Sequence, residues 1–157
     1  TLPVRTSYMT RTRLAISLLF LMNGFMMGSW APMIPEFAHR LSLSESQLGL
    51  VILMFGVGSL LMMPVAGAKI ARYGSRKVSL TAAVVFLPTL LLITLTNNIW
   101  SGVAAVVLFG GLTGAMDVAM NANAVATERS MRRSIMSSCH AFWSLGGLLG
   151  AGLGGLL

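Results

Sequence analysis

The sequence contains few charged residues and very few acidic ones. Only 10% of its 157 residues are charged, and just four of them are Asp or Glu. Soluble domains carry about 25% charged residues, so this composition excludes an ordinary soluble domain and indicates a membrane protein. Only one acidic residue, Asp117, lies within an apolar segment, which makes it the first functional candidate.

The chain also lacks the residue sets on which enzymes and metal sites are usually built. Its single cysteine, Cys139, excludes an intrachain disulfide and any CxxC metal or redox site. The sequence contains no Ser/His/Asp set, no HExxH and no cluster with metal-ligand spacing. We therefore predict a protein that is not an enzyme and that uses neither a metal nor a cofactor.

Long apolar runs dominate what is present. Each is long enough to cross a hydrocarbon core of about 30 Å at about 1.5 Å per residue. These runs predict an all-α, polytopic membrane bundle, preceded by a polar, basic tail at residues 1–13 that we expect to be disordered or interfacial. Ser44 and Gln47 form a capping-box pattern at the start of the second run. The five predicted helices cover about 14–34, 45–70, 78–95, 99–127 and 135–157.

Basic residues alternate between the two sides of the predicted bundle. Ten of the eleven Lys and Arg residues fall on one side, and only Arg40 falls on the other. By the positive-inside rule the N-terminus is cytoplasmic. The net charge of +7 does not indicate nucleic-acid binding, because the basic residues form short clusters between apolar runs. We expect a multi-pass protein of a bacterial inner membrane.

The fourth run holds Asp117 near the middle of the membrane. On a helix, Asp117, Asn121 and Glu128 share one face, whereas Asn123 points about 120° away. A carboxylate in hydrocarbon costs at least about 2.5 kcal/mol, so ionisable residues in membranes usually have functional roles. The alternative is a buried Asp117 that pairs with a neighbouring helix and only fixes packing.

Polar and aromatic residues in the first and fifth runs supply further candidates. Asn23 and Trp30 are seven residues apart and share a helical face. His140 and Ser144 are one turn apart, and Trp143 lies beside them. The alternative interpretations are an interfacial anchor for Trp30 and a packing or capping role for His140.

The chain stops inside an apolar, glycine-rich helix. A natural protein seldom ends at a sequence such as Gly154-Gly155-Leu156-Leu157, and the number of helices is odd. We therefore expect the first part of a longer polytopic protein, whose missing C-terminal half is a partner of this one.

The segment after the second run resembles a known signature. Gly67-Ala-Lys-Ile-Ala71-Arg72-Tyr-Gly74-Ser-Arg76-Lys77 resembles the Gly-x-x-x-Asp-Arg-x-Gly-Arg-Arg motif of the major facilitator superfamily, with Ala71 in place of Asp. The resemblance implies two six-helix halves, of which this chain supplies the first five helices of twelve. It also implies a conformational-switch loop, formed by Gly67, Arg72, Gly74, Arg76 and Lys77.

The fourth and fifth runs resemble the fucose/proton symporter branch of that superfamily. Gly111-Leu112, Asp117 and Asn121 match its Gly-Leu-Gly, acid and Asn pattern, and His140-Ala-Phe142-Trp143-Ser144-Leu-Gly146 fits its fifth helix. The resemblance implies a proton-coupling role for Asp117 and a substrate contact for His140.

Together with the candidate residues, the resemblance implies proton-coupled transport of a small, polar, sugar-like solute by alternating access. Asp117 would cycle between protonated and ionised forms. Substrate, protons and the lipid bilayer are the expected partners. The predicted substrate-binding residues are the hydrogen-bonding Asn121, His140 and Asn23 and the stacking Trp30 and Trp143.

Two alternatives remain open. Gly146-x-x-x-Gly150-Ala151-Gly152-Leu153-Gly154-Gly155 resembles an antiporter motif, with Ala151 in place of its Pro, which implies a proton-antiporting drug or metabolite exporter. The other alternative is a non-transporting membrane interaction protein in which Asp117 serves packing.

Overall fold

The computed structural model describes the backbone of residues 2–156 and the side chains of residues 10–156. Within that range the chain is helical, with short connections and no strand, so the predicted all-α class is confirmed. The helices, in chain order, are α1 (Leu2–Arg40), α2 (Glu45–Tyr73), α3 (Ser75–Phe86), α4 (Thr89–Thr94), α5 (Ile99–Met131) and α6 (Met136–Gly154).

The first helix is longer at both ends than the apolar pattern predicts. It begins at Leu2, so the backbone of residues 2–13 is helical; that this tail is interfacial stays a prediction, and Thr1 lies outside the described residues. It also continues through Pro32 and Pro35 to Arg40. Apolar length reports only the part of a helix that lies in hydrocarbon, and a helix itself can extend beyond it.

The third predicted helix is broken in two. The apolar pattern predicts one helix over 78–95, but α3 ends at Phe86 and α4 begins at Thr89. Pro88 lies in the break, where its missing N–H and its ring disfavour a continuous helix. The Thr89 hydroxyl donates to the carbonyl of Phe86, the last residue of α3. α3 and α4 still count together as one stretch of membrane length, Ser75–Thr94.

Four stretches of the described chain are long and apolar enough to cross a membrane. By length and composition they are Thr10–Arg40, Glu45–Tyr73, Ser75–Thr94 and Ile99–Met131. The last helix, α6, has 19 residues and is shorter than the predicted 135–157. Its crossing of the membrane stays a prediction, and Leu157 lies outside the described residues.

Side-chain caps fix where two helices begin. The predicted capping box at α2 is present: the Gln47 amide donates to Ser44 Oγ over 3.3 Å, and the Ser44 amide donates to Gln47 Oε1 over 2.9 Å. A second box, not predicted, starts α5, where the Ser101 amide donates to Asn98 Oδ1 over 3.0 Å. These bonds satisfy N–H groups that a helix start otherwise leaves unpaired.

The helices pack as two pairs that are not neighbours in sequence. α1 packs mainly on α6, and α2 packs mainly on α5, whereas α5 and α6 touch little although they are consecutive. Glycines permit the close approach: a Cβ on Gly24 would meet the Trp143 carbonyl, and one on Gly110 would meet the Phe55 carbonyl. Small residues are a general means of bringing membrane helices together.

An aromatic cluster joins the two pairs beside α3. The Phe109 ring of α5 stacks on Phe86 at a centroid distance of 5.3 Å and contacts Phe55 at 5.7 Å and Trp30 at 5.9 Å. Such ring pairs stabilise a core beyond the area they bury. This cluster sets the spacing between the α1–α6 pair and the α2–α5 pair.

Candidate functional site

A cavity lies where α1, α2, α5 and α6 meet. Its volume is about 310 Å³, which is at the lower end of the range for small-molecule sites. Asp117 and Asn23, which line it, both lie near the middle of their helices. The cavity is lined by Asn23, Met27, Ser59, Met63, Thr113, Gly114, Asp117, Met120, His140 and Trp143.

Asp117 is held by the residue one turn further along α5. Asn121 Nδ2 donates to Asp117 Oδ1 over 3.1 Å and to the Asp117 carbonyl over 2.9 Å. Asp117 and Asn121 are both half-buried. Asp117 lines the cavity, whereas Asn121, predicted to bind substrate, is not among the lining residues and contacts the Asp117 carboxyl group from the next turn of α5.

Asn23 and Trp143 form the polar contact between α1 and α6. Trp143 Nε1 donates to Asn23 Oδ1 over 2.9 Å. An indole N–H can only donate, so this bond fixes which end of the Asn23 amide faces Trp143. Asn23 is 2% exposed, and among the described residues its Nδ2 has no hydrogen-bond partner. A buried donor without a partner destabilises a protein by about 1–3 kcal/mol, so an acceptor that bound Nδ2 would remove this cost.

His140 lies on the same cavity wall, one turn before Trp143. The imidazole packs edge-on against Phe20 of α1 at a centroid distance of 5.2 Å. His140 as a whole residue is exposed in the described structure. The structure thus brings Asn23, Asp117, His140 and Trp143 together around one space.

Trp30 does not reach this cavity, which corrects its predicted placement among the substrate-binding residues. It is 6% exposed, and its ring packs against Phe37 at 5.5 Å and Phe109 at 5.9 Å. Seven residues return to the same helical face but move about 10 Å along the axis. Trp30 therefore lies at the depth of Phe109 rather than that of Asp117, and its role is packing.

The second helix contributes residues that the sequence did not single out. Ser59 and Met63, one turn apart on α2, line the cavity, together with Met27 of α1 and Thr113 of α5. The Thr113 hydroxyl donates to the Phe109 carbonyl over 2.7 Å, within its own helix. The sequence offers one signal that α2 lines the cavity: the hydroxyl of Ser59 lies in an otherwise aliphatic run.

Glu128 has a structural role away from the cavity. Its Oε1 accepts hydrogen bonds from the Ile135 and Met136 amides at 2.6 and 2.9 Å and from Ser134 Oγ at 3.1 Å. The carboxylate therefore caps the start of α6, where the helix dipole favours negative charge. Although the sequence predicts that it shares a helical stripe with Asp117, it joins α5 to α6 and does not line the cavity.

The predicted switch loop gathers cations around one aromatic ring. The Tyr73 ring lies 5.2 Å from Arg72 Cζ and 5.5 Å from Lys77 Nζ. Gly74 has φ +83°, a conformation that side chains rarely adopt, which explains the glycine at this turn. A Cβ on Gly67 would meet no neighbouring atom within the described residues, so packing there does not require glycine.

Comparisons with known proteins agree with this architecture. The sequence model of the Major Facilitator Superfamily matches residues 16–157. An uncharacterised MFS-type transporter of Yersinia pestis is 40% identical over 146 residues, which cover 93% of this chain and 37% of that protein. An uncharacterised transporter of Sinorhizobium fredii is 36% identical over 132 residues, or 84% of this chain and 35% of the relative.

A third relative is the membrane protein MosC of Rhizobium meliloti. It is 36% identical over 136 residues, which cover 87% of this chain and 33% of that protein. The chain thus spans about a third of the length of these curated relatives. No solved structure matches it.

Proposed function

The chain belongs to the major facilitator superfamily, and from that premise we propose that it forms part of a proton-coupled transporter of a small, polar, sugar-like solute. In this proposal the solute binds between two six-helix halves and crosses by alternating access. The described residues supply one wall of that site, and a second half supplies the other.

The buried amide of Asn23 is the observation that carries this proposal. Asn23 lines the cavity; its oxygen accepts from Trp143, and its Nδ2 is a buried donor with no partner among the described residues. A hydroxyl or carbonyl oxygen of a solute would satisfy that donor. Across the same space, Asp117 offers an acceptor to a solute hydroxyl, so a molecule with several hydroxyl groups fits both sides.

Proton coupling is assigned to Asp117. An ionised carboxyl is costly in apolar surroundings, and Met27, Met63 and Met120 make up much of the wall around it. Protonation removes that cost and lets the carrier change its orientation. Binding of solute beside the carboxyl then links the two events, while Asn121 keeps the group aimed at the cavity.

Export by proton antiport is the competing function. Its support was the glycine motif of α6, but a Cβ on Gly146 would meet the Leu21 carbonyl and one on Gly150 would meet the Phe25 carbonyl. These glycines therefore have a packing explanation that does not depend on transport direction. A non-transporting interaction protein offers no solute to accept a hydrogen bond from Asn23 Nδ2, so it does not explain this buried donor.

The decisive experiment measures solute-induced proton movement in proteoliposomes. The protein at its natural length is compared with Asp117→Asn and with Glu45→Gln, which neutralises an exposed carboxylate at the start of α2. A panel of sugars and cationic drugs is applied. We expect a sugar-dependent proton signal in the wild type and in Glu45→Gln, and its loss in Asp117→Asn.

Other outcomes would contradict specific parts of the proposal. Proton-driven uptake that persists in Asp117→Asn would remove the coupling role from this residue. A signal with cationic drugs alone would favour the exporter. The absence of a proton signal with every compound would contradict proton-coupled transport of both sugars and cationic drugs.

A further inference from the structure

A second cavity opens between α2, α3 and α5, and it shares no lining residue with the candidate substrate site. Its volume is about 550 Å³. Aliphatic side chains form most of its wall, including Val65 of α2, Val85 of α3 and Leu112 of α5. Lys69, Tyr73 and Lys77 lie at its other end. We call this space the α2–α3 groove.

The polar end of the groove concentrates positive charge. Lys69 Nζ lies 5.6 Å from the centre of the Tyr73 ring, and Lys77 Nζ approaches the same ring to 5.5 Å from the next helix. These distances are within the range of cation–π attraction. Arg72 also contacts this ring, so three cations converge on one residue.

No acidic residue of the sequence lies between Glu45 and Asp117, so the loop itself provides no counter-charge. Glu128 already accepts three hydrogen bonds at the start of α6. The lysines at the groove therefore favour binding of an anion. Their positive charges repel one another, and a bound anion would offset that repulsion.

The apolar end of the groove is continuous with the exposed aliphatic surface. Val65 is 44% exposed and Val85 is 48% exposed, although both line the groove. An opening of this kind admits a hydrocarbon chain from the side. A free phosphate would satisfy the lysines but would leave the aliphatic walls without a partner.

We propose that the α2–α3 groove binds one anionic phospholipid. The phosphate lies between Lys69 and Lys77, and an acyl chain lies along Val65 and Val85. Long basic side chains suit this arrangement, because their stems pack on apolar surface while their charges reach the headgroup. Anionic lipids are enriched in the cytoplasmic leaflet, on the side where the sequence predicts this loop to lie.

Photo-crosslinking in nanodiscs tests this proposal. The protein at its natural length is reconstituted with phosphatidylglycerol or phosphatidylcholine that carries a photoreactive acyl chain, and labelled peptides are mapped by mass spectrometry. Lys69→Gln/Lys77→Gln removes both headgroup contacts. The matched control, Arg129→Gln/Arg133→Gln, removes two exposed cations outside the groove. Thr81→Trp fills the groove without changing its charge.

We expect phosphatidylglycerol to label peptides within residues 62–85 far more than phosphatidylcholine does. Each lysine contributes about fivefold to the affinity for an anionic surface, so the double variant should lose about twenty-fivefold. The control should keep its labelling, and Thr81→Trp should lose acyl-chain labelling while it still folds, as checked by thermal unfolding.

Three results would overturn the proposal. Equal labelling by the two lipids would remove the role of charge, and unchanged labelling in the double variant would remove the role of the lysines. Absence of label from the groove with either lipid would show that another part of the protein covers it. If the lysine variant fails to fold, Thr81→Trp alone decides between lipid and no lipid.

Discussion

At the scale of single residues, the orientation of one amide restricts what the cavity accepts. Trp143 donates to the Asn23 oxygen, which leaves the Asn23 Nδ2 as a buried donor without a partner among the described residues. Asp117 adds an acceptor from α5, oriented by Asn121. Under the proposed function, the solute would accept a hydrogen bond from Asn23 and donate one to Asp117, as a polyhydroxylated molecule can.

The amide of Asn23 can be tested directly. We expect Asn23→Ala to weaken solute binding by about 0.5–1.5 kcal/mol, up to about tenfold in affinity, because one neutral hydrogen bond is lost. Trp143→Phe keeps a ring but frees the amide to turn, so it should have a smaller effect. Binding is measured by solute-induced protection against thermal unfolding.

Ser138→Ala serves as the matched control for these two variants. The Ser138 hydroxyl donates to the Ile135 carbonyl within the same chain segment and does not line the cavity. Its substitution should leave solute affinity unchanged. Equal affinity in wild type and Asn23→Ala would mean that the unpaired donor does not meet the solute.

Single residues also show what the sequence can and cannot predict. Asp117 and Asn121 were found because four residues along a helix return to one face, a rule internal to the helix. Trp30 was misplaced because a shared face does not imply a shared depth. Ser59 was missed because its contribution depends on how α2 is rotated against α5, which the glycine contacts between the helices determine.

At the scale of whole helices, glycines decide which partners pair. Gly146 and Gly150 lie against the backbone of α1, whereas a Cβ on Gly152 of the same helix would meet no atom of the described residues within 4 Å. The glycine-rich sequence of α6 therefore combines positions that need glycine with positions that do not. The sequence alone shows that α6 contains many glycines, but it does not show which of them face α1.

This difference predicts opposite effects of the same substitution. Gly146→Ala should destabilise the protein strongly, because the added methyl would overlap the Leu21 carbonyl and force α1 and α6 apart. Gly152→Ala should be neutral or stabilise α6 by up to about 1 kcal/mol, because alanine is the better helix former. Thermal unfolding in detergent measures both.

The two variants control for each other, since both add one methyl group to α6. A Gly146→Ala protein as stable as the wild type would show that α1 and α6 do not approach as closely as described. Destabilisation by Gly152→Ala would show instead that this face of α6 is covered by another part of the protein.

At the scale of the whole molecule, the distribution of charge predicts an orientation. Ten of eleven Lys and Arg residues lie on the predicted cytoplasmic side. The exception, Arg40, has a structural role: it donates to the Ile93 carbonyl over 2.9 Å and to the Thr96 carbonyl over 3.2 Å. Its position is explained by capping the end of α4, so it does not argue against the positive-inside rule.

Single cysteines test this orientation. Asn97→Cys and Arg76→Cys place exposed thiols on opposite sides of the predicted bundle, and the native Cys139 is fully buried and should react little. We expect a membrane-impermeant thiol reagent to label Asn97→Cys in intact cells. It should label Arg76→Cys only after the cells are permeabilised. The reverse pattern would place the N-terminus outside.

The pairing of helices has a consequence for how the protein is made. α1 pairs with α6 and α2 pairs with α5, so the inner pair is enclosed in sequence by the outer pair. During synthesis α1 enters the membrane first, yet the helix that covers Gly24 and Gly28 is the last described one to emerge. α2 and α5 can pack together before α1 has its partner, and no helix has to pass between two helices that are already packed. Trp143 arrives with α6, so the side-chain oxygen of Asn23 has no indole donor in the bilayer until that helix has been synthesised.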